Sequence, residues 1–395
     1  MPLTFTVFRD EVREELFRIL DYWIKYSIDK DNGGFFAEVN AQNIPDPAAP
    51  RSVVVTSRIL WTFSAAHRLF PNAKYRELAD RAYDYLRQHF MDEQYGGVYW
   101  SVTSKGEPLE MKKQLYGNAF AIYGFSEYYK LTKISASLDL AKSVFSAMVT
   151  HGYDKQRGGY IEAFERDWSD TSEYILSRGE SRKSMNTHLH ILEAFANLHS
   201  VWKSSDTDFH LRHALDMMQV HIIDSQTHRM NLFFTEDWKR LTSTISYGHD
   251  IEASWLILEA AEILGDSDVI SKCKKVSLDM AIAACDGIAT DGALNYELEP
   301  STGQLNDSKQ WWPQAEAMVG LVNAYQLSNK VNFLDKAEKV WGFVREFMID
   351  YKGGEWWPAI DARHQVMPGN KISFWKGPYH SSRACMEVWR RLGRE

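Results

Sequence analysis

The feature that most constrains the fold is a segment that keeps returning along the chain. "DKQRGGYIEAF", residues 154–164, has counterparts in "DKDNGGFFAEV" from Asp29, "DEQYGGVYWSV" from Asp92, "DSQTHRMNLFF" from Asp224, "TDGALNYEL" from Thr290 and "DYKGGEWWPAI" from Asp350. Alignment on the second glycine marks Gly34, Gly97, Gly159 and Gly354, with Gly292 in the fifth copy and Arg229 near that place in the fourth; most steps are 62 or 63 residues. Between successive turns lie two stretches with apolar residues at helical spacing, such as "TSRILWTFSAAHRLF" and "YRELADRAYDYLRQHFM". Each unit therefore reads as turn, short strand, loop, helix, turn, helix, with Gly-Gly supplying the backbone freedom for the turn. Two helices cannot bury their apolar faces alone, so neighbouring units must stack. Six copies, with a helix over residues 5–28 completing the last pair, predict an all-α (α/α)6 barrel. It has six inner and six outer helices and short β-hairpins at one mouth. No Pro/Gly/Ser-rich linker divides the chain, so residues 1–395 are expected to form a single catalytic domain, with 43–52 and 165–183 as loops over the mouth.

Composition bounds the function. A chain of 395 residues that is 45% hydrophobic and 25% charged can bury a large core. Its net charge of −8 is spread along the sequence, which leaves no basic stripe for nucleic acid and no polybasic membrane anchor. Arg9 and Asp10 interrupt the start before an apolar stretch of signal-peptide length accumulates, and no later run approaches eighteen apolar residues. A cytoplasmic protein with no nucleic-acid or membrane partner is expected. Cys273, Cys285 and Cys385 lack zinc spacing and lie in helical patterns, as buried small hydrophobes do. Aromatic residues reach 13%, with 14 Trp, which suits both a large core and a site that stacks on the C–H faces of a sugar.

Polar residues gather where each inner helix begins. These are Arg58, then Tyr116 and Asn118, then Asn186 and His190. Next come His249 and Glu252, then Trp311, Trp312 and Glu316, and last Trp375 and His380. Six helix starts around one ring bring them to one mouth, as a candidate site for proton transfer on a polyhydroxylated substrate. Each residue taken singly has a plainer reading. His190 could be a core histidine, His249 and Glu252 a surface pair, Glu316 a complement to the helix dipole, and Arg58 an ordinary ion pair. His188 is expected to point the other way and to bond the backbone. Their coincidence at equivalent repeat positions favours a shared site. Metal is not expected: "THLH" lacks the His-x-x-x-His spacing, and His249 with Glu252 would need a third ligand from a separate helix. No GxGxxG or GxxxxGK[ST] motif stands between a strand and a helix, so no nucleotide cofactor is expected either.

Four segments in this order, "KSMNTHLHILEA", "SYGHDIEASWLILEA", "WWPQAEAMVG" and "FWKGPYHSSRAC", resemble the signatures of cellobiose 2-epimerases and mannose 2-epimerases, both of the N-acylglucosamine 2-epimerase superfamily. The resemblance covers essentially the whole chain. It implies an (α/α)6 barrel that interconverts gluco and manno configuration at C2 of an unphosphorylated aldose with no redox cofactor. It further implies His249 and His380 as the acid/base pair, His190 assisting at the oxygens and Arg58 binding the reacting end. Glu252 and Glu316 would orient the histidines, and Trp312 and Trp375 would stack on sugar. Glu252, three residues after His249, is expected to fix the tautomer of that ring. One loop departs from the disaccharide-active pattern: "ILSRGESRKSMNTH" is shorter, with Arg178, Gly179 and Glu180 where Lys-Asp is expected. That change points to free D-mannose and D-glucose as the main pair. Cellobiose or lactose as substrate, aldose–ketose isomerisation between mannose and fructose, glycoside hydrolysis and a non-catalytic sugar-binding scaffold stand as alternatives.

Overall fold

The computed structural model describes residues 3–171, 173–174 and 180–393. Its helices in chain order are α1 (Leu3–Tyr26), α2 (Val53–Leu69), α3 (Ala73–Tyr85), α4 (Leu115–Thr132), α5 (Ser135–Ala147) and α6 (Met185–His199). They continue as α7 (Ser205–Met217), α8 (Tyr247–Leu264), α9 (Ser267–Ala284), α10 (Trp311–Ser328), α11 (Val331–Phe343) and α12 (Tyr379–Leu392). Each even-numbered helix packs on the even-numbered helices before and after it, and α12 returns to α2, which closes an inner ring. Odd-numbered helices pack outside, one against each inner helix, with α1 against α12. This is the (α/α)6 barrel that the repeat predicts.

Burial explains which helix goes where. Every residue of α2 from Val53 to Ala66 is buried, and so is every residue of α4 from Leu115 to Tyr128, whereas α3 buries only Tyr75, Leu78, Ala79, Ala82, Tyr83 and Tyr85. A helix covered on all sides belongs to an inner layer, and one with a single apolar stripe belongs outside. Charged residues on an inner helix must then be paired or face a cavity.

Short strands tie successive copies together at the mouth where the inner helices begin. The pair of residues before an inner helix bonds to the next copy: 51–52 with 101–102, 113–114 with 163–164, 183–184 with 233–234, 245–246 with 297–298, and 309–310 with 359–360. A bridge between Val39 and Ile372 completes the circle. The hairpins expected at the mouth are thus largely ladders between repeats. They also satisfy the first helical amides: Val53, Leu115, Met185 and Trp311 donate to the carbonyls of Trp100, Glu162, Leu232 and Pro358.

The recurring aspartate closes its own turn. Its backbone N–H donates to the carbonyl five residues on, from Asp29 to Gly34, Asp92 to Gly97, Asp154 to Gly159 and Asp224 to Arg229. In the last copy Asp350 reaches Glu355, so the position equivalent to Gly34 is Glu355, one residue beyond the aligned Gly354. Glu355 holds φ at 66° without being glycine, and its buried carboxylate meets Lys376 Nζ at 3.1 Å and accepts from Trp23 Nε1 at 2.6 Å. Four of the aspartates also carry a buried basic partner from the segment before the inner helix: Arg51, Lys113, Lys183 and Lys371. Each inner helix start in those copies is therefore anchored to its turn. No described helix is long and apolar enough to cross a membrane.

Candidate active site

A cavity of about 470 Å³ opens at the mouth formed by the inner helix starts. Its lining includes ten of the twelve residues singled out in the sequence: Arg58, Tyr116, Asn186, His190, His249, Glu252, Trp311, Trp312, Trp375 and His380. Tyr296, Gln310 and Ser373 complete it; they lie on loops and strand ends that the helical pattern does not mark. Glu316 stands behind His380 rather than in the wall.

Asn118 belongs elsewhere. It is fully buried, accepts from the Val98 N–H at 3.0 Å and donates to the Gln114 carbonyl at 2.8 Å. The equivalent residues of other repeats clip the backbone in the same way, since Asp250 accepts from Met230 N–H and Gln314 from Leu294 N–H, each at 2.8 Å. In the third copy the clip is His188. Its Nε2 accepts from Tyr160 N–H at 2.9 Å and its Nδ1 donates to the Ser184 carbonyl at 2.8 Å, the backbone role expected for it. The expectation that Asn118 binds substrate rested on its place at the start of an inner helix, but two residues along a helix turn its side chain away from the cavity.

The three cavity histidines share one arrangement. Nδ1 of His249 meets Ser246 Oγ at 2.8 Å, Nδ1 of His190 meets Glu193 Oε2 at 3.0 Å, and Nδ1 of His380 meets Glu316 Oε1 at 2.6 Å. With Nδ1 engaged in each ring, Nε2 is the nitrogen left for a ligand. Trp312 packs near two of the rings, its centroid 4.6 Å from that of His249 and 5.8 Å from that of His380. Burial pushes all three imidazoles below their ordinary pKa: His249 to about 3, helped by His190, and His380 well below, helped by Arg58 and Arg383. For His190 the carboxylate of Glu193 opposes the fall without cancelling it. Burial thus favours the neutral form of each ring, whose Nε2 can accept a proton.

Beneath them runs a buried network that sequence reasoning misses. Arg383, one turn after His380 on α12, donates to Glu252 at 2.8 Å and to Glu316 at 2.7 Å, and also bonds Glu193 and Tyr379. Glu252 does not orient His249 as expected. Its carboxyl turns to Arg383 and comes within 3.9 Å of His380 Nδ1, and Ser246 holds His249. Burial, then the neighbouring Glu316, pushes Glu252 well above the usual carboxylate range. Glu316 contacts Nδ1 of His380 and takes a further bond from Trp255 Nε1 at 3.1 Å. Glu252, Glu316 and His380 bring ligand atoms within 4.8 Å of one another, and Arg383 bonds Oε1 of both carboxylates. Arg58 completes the wall, donating to the Trp375 carbonyl at 2.9 Å and the Tyr116 hydroxyl at 3.0 Å, with the Phe120 ring 4.4 Å from its guanidinium. Trp375 remains 38% exposed at the rim. Of the loop substitution, Arg178 and Gly179 lie outside the described residues, and Glu180 is exposed.

Residues 34–384 match the N-acylglucosamine 2-epimerase (GlcNAc 2-epimerase) family. The chain belongs to this family. A cellobiose 2-epimerase from Bacteroides fragilis is 39% identical over 386 residues, covering 97% of this chain and 98% of its own length. The solved cellobiose 2-epimerase from Bacillus thermoamylovorans superimposes with a TM-score of 0.94 at 36% identity, covering 98% of this chain and 100% of that one. A D-mannose isomerase from Marinomonas mediterranea is more distant, 24% identical over 394 residues and 95% of each chain. The family member described here is an isomerase, a carbohydrate 2-epimerase. The leaning towards free mannose and glucose is not the one these likenesses favour, since the relatives at 34–39% identity are named for cellobiose.

Proposed function

We propose that this epimerase inverts C2 of the reducing-end glucose of a β-1,4-linked disaccharide such as cellobiose or lactose. The chain would act as one catalytic domain, since all six inner helices or their flanking loops contribute to the cavity. The observation that carries the chemistry is the set of three imidazoles, each tethered through Nδ1 and grouped with Arg58 around one cavity. A proton on C2 becomes removable once the ring has opened and the adjacent carbonyl oxygen is stabilised as charge develops; Arg58 supplies that stabilisation. Nε2 of one of the pair His249 and His380 takes the C2 proton, and the C–H electron pair becomes the enediolate with its charge on O1. The other ring must first take up a proton in the sugar complex, against the burial that favours its neutral form, and it returns that proton to the opposite face of the planar intermediate. Inversion follows, and the rings exchange protonation states. Trp312 beside the two rings supplies a surface on which the sugar can stack.

Support for a disaccharide comes from the names of the nearer relatives and from the size and rim of the cavity. About 470 Å³ falls within the roughly 300–1,000 Å³ typical of ligand pockets. Trp375 stands at its rim, 38% exposed, where a second sugar ring would extend. Among the described residues, Arg58 Nε, Asn186 Oδ1 and Trp311 Nε1 are buried without a protein partner, in keeping with a hydroxyl-rich ligand.

Incubation with cellobiose or with D-mannose in D2O, followed by NMR, tests this reading. Deuterium at C2 of epimerised product, with higher kcat/KM for cellobiose, is the expected result. Much higher kcat/KM for mannose would restore the monosaccharide reading, and a ketose as main product would make the enzyme an aldose–ketose isomerase.

A further inference from the structure

We propose that Glu193 and Arg383 act together as positioning residues that hold His190 as a proton acceptor at Nε2. The starting point is the difference between the three Nδ1 partners. A serine hydroxyl, as at His249, can donate or accept and leaves the tautomer open. An ionised carboxylate only accepts, so a ring bound to it through Nδ1 must carry its proton there and keep a lone pair at Nε2. Glu193 is such a carboxylate. It lies on α6 one turn after His190, meets Nδ1 at 3.0 Å, and receives the Arg383 guanidinium and the Tyr379 hydroxyl on its other oxygen.

The surroundings keep it ionised. Burial alone would raise the Glu193 carboxyl, but Arg383 and His190 hold it at about 2, whereas burial raises Glu316, the partner of His380. Of the two carboxylate-bound rings, His190 thus has the stricter tether. Glu193 also answers a charge problem. Arg58 and Arg383 both oppose a proton on His190, and Glu193 is the anion in contact with the ring. Glu193 stands outside the lining of the substrate cavity, so it acts through the imidazole and not on the sugar. Arg383 is itself buried against the rings of Trp255, at 4.7 Å, and Tyr379, at 4.2 Å, and that packing restrains the guanidinium from which it reaches the carboxylates.

The kinetic arm of the test rests on the epimerase reading above; the spectroscopic arm does not. In ¹⁵N-histidine-labelled wild-type protein at neutral pH, with the His190 signals assigned by their loss in His190→Gln, the proton is expected on Nδ1. Glu193→Gln should disturb that pattern and lower kcat by roughly 10–100-fold, with KM within about twofold because the cavity wall is unchanged. Arg383→Lys, which keeps the charge but not the fork, should fall between the two. A proton on Nε2 of wild-type His190 would overturn the proposal even if Glu193→Gln failed to fold. So would a folded Glu193→Gln enzyme with kcat within about twofold of wild type. If wild-type protein exchanged no C2 proton on either sugar, the epimerase reading would fall, while the tautomer measurement would still decide this one.

Discussion

Two inner helices carry the same spacing, His-x-x-Glu: "HILE" at 190–193 on α6 and "HDIE" at 249–252 on α8. On α6 the pair is a dyad, with His190 Nδ1 3.0 Å from Glu193. On α8 it is not. Glu252 leans across the ring to Arg383, and His249 turns back to Ser246 at the start of its own helix. Spacing i to i+3 places both side chains on one face and makes contact possible. Which contact forms depends on what the neighbouring helix offers. Glu193 and Glu252 both reach Arg383, but Glu193 also meets its own histidine through Oε2, whereas Glu252 lies across the ring, 3.9 Å from Nδ1 of His380. A local motif thus proposes a pair, and the opposite side of the barrel decides whether it exists.

The largest effect should come from removing an imidazole of the α8–α12 pair. His249→Ala and His380→Ala are each expected to lower kcat by at least about 10³-fold, the upper range for general acid–base catalysis, with a melting temperature close to wild type. Stopped-flow or NMR turnover alongside thermal melting checks this. Near-normal turnover in either variant would remove that ring from the mechanism.

Acid should then separate the cavity histidines from ordinary ones. A histidine in the unfolded chain titrates near 6.5, whereas in the folded protein His249 and His188 are held down to about 3 and His210 to about 4, in each case first by burial. Below pH 6.5 the unfolded chain therefore binds protons that the folded chain refuses. Stability should decline as pH falls from about 6.5 towards 4, by about 1.4 kcal/mol per pH unit for each such proton. The acid limb of kcat/KM should lie below 6.5, since the ring that takes the C2 proton must be neutral. Denaturant melts and pH–rate profiles between about pH 4 and 8 test both; stability rising on acidification would contradict the assigned neutral state.

His188 sharpens the contrast within α6. It sits two residues before His190 and serves the backbone, so His188→Ala should cost roughly 1–3 kcal/mol by orphaning the Tyr160 N–H. Activity per folded molecule should hold. An equal loss of kcat at full stability would place His188 in the reaction instead of the scaffold.

These cases show where the sequence is readable. The barrel is legible because turn, strand and helix pair recur at a fixed step, and recurrence survives local irregularity: Arg229 and Glu355 stand where glycine is expected, yet their turns close in the same way. Most of the cavity is legible because helix starts in a ring converge. Asn118 is misplaced because a helix start offers two faces, and only the partner, here Val98 N–H, distinguishes them. Glu193, Arg383 and Tyr379 are invisible for a different reason. They sit on segments that read as core, and the bonds that join Glu193 to the other two span 186 and 190 residues of chain. The same His-x-x-Glu spacing that marks α8 finds Glu193 once it is applied to α6.

The smallest expected effect tests the weaker tether. Ser246 is buried, and its hydroxyl is the Nδ1 partner of His249 at 2.8 Å. A hydroxyl can turn to donate or accept, so it can follow His249 through both protonation states without imposing one. Its removal deprives the ring of one hydrogen bond worth about 1 kcal/mol, and the packing of His249 on Trp312 stays in place. Ser246→Ala should therefore lower kcat by only about 3- to 10-fold, short of the loss expected for Glu193→Gln. If Ser246→Ala instead proved as damaging as His249→Ala, the hydroxyl would have to fix the tautomer after all, and the two histidines would be held by equally strict means.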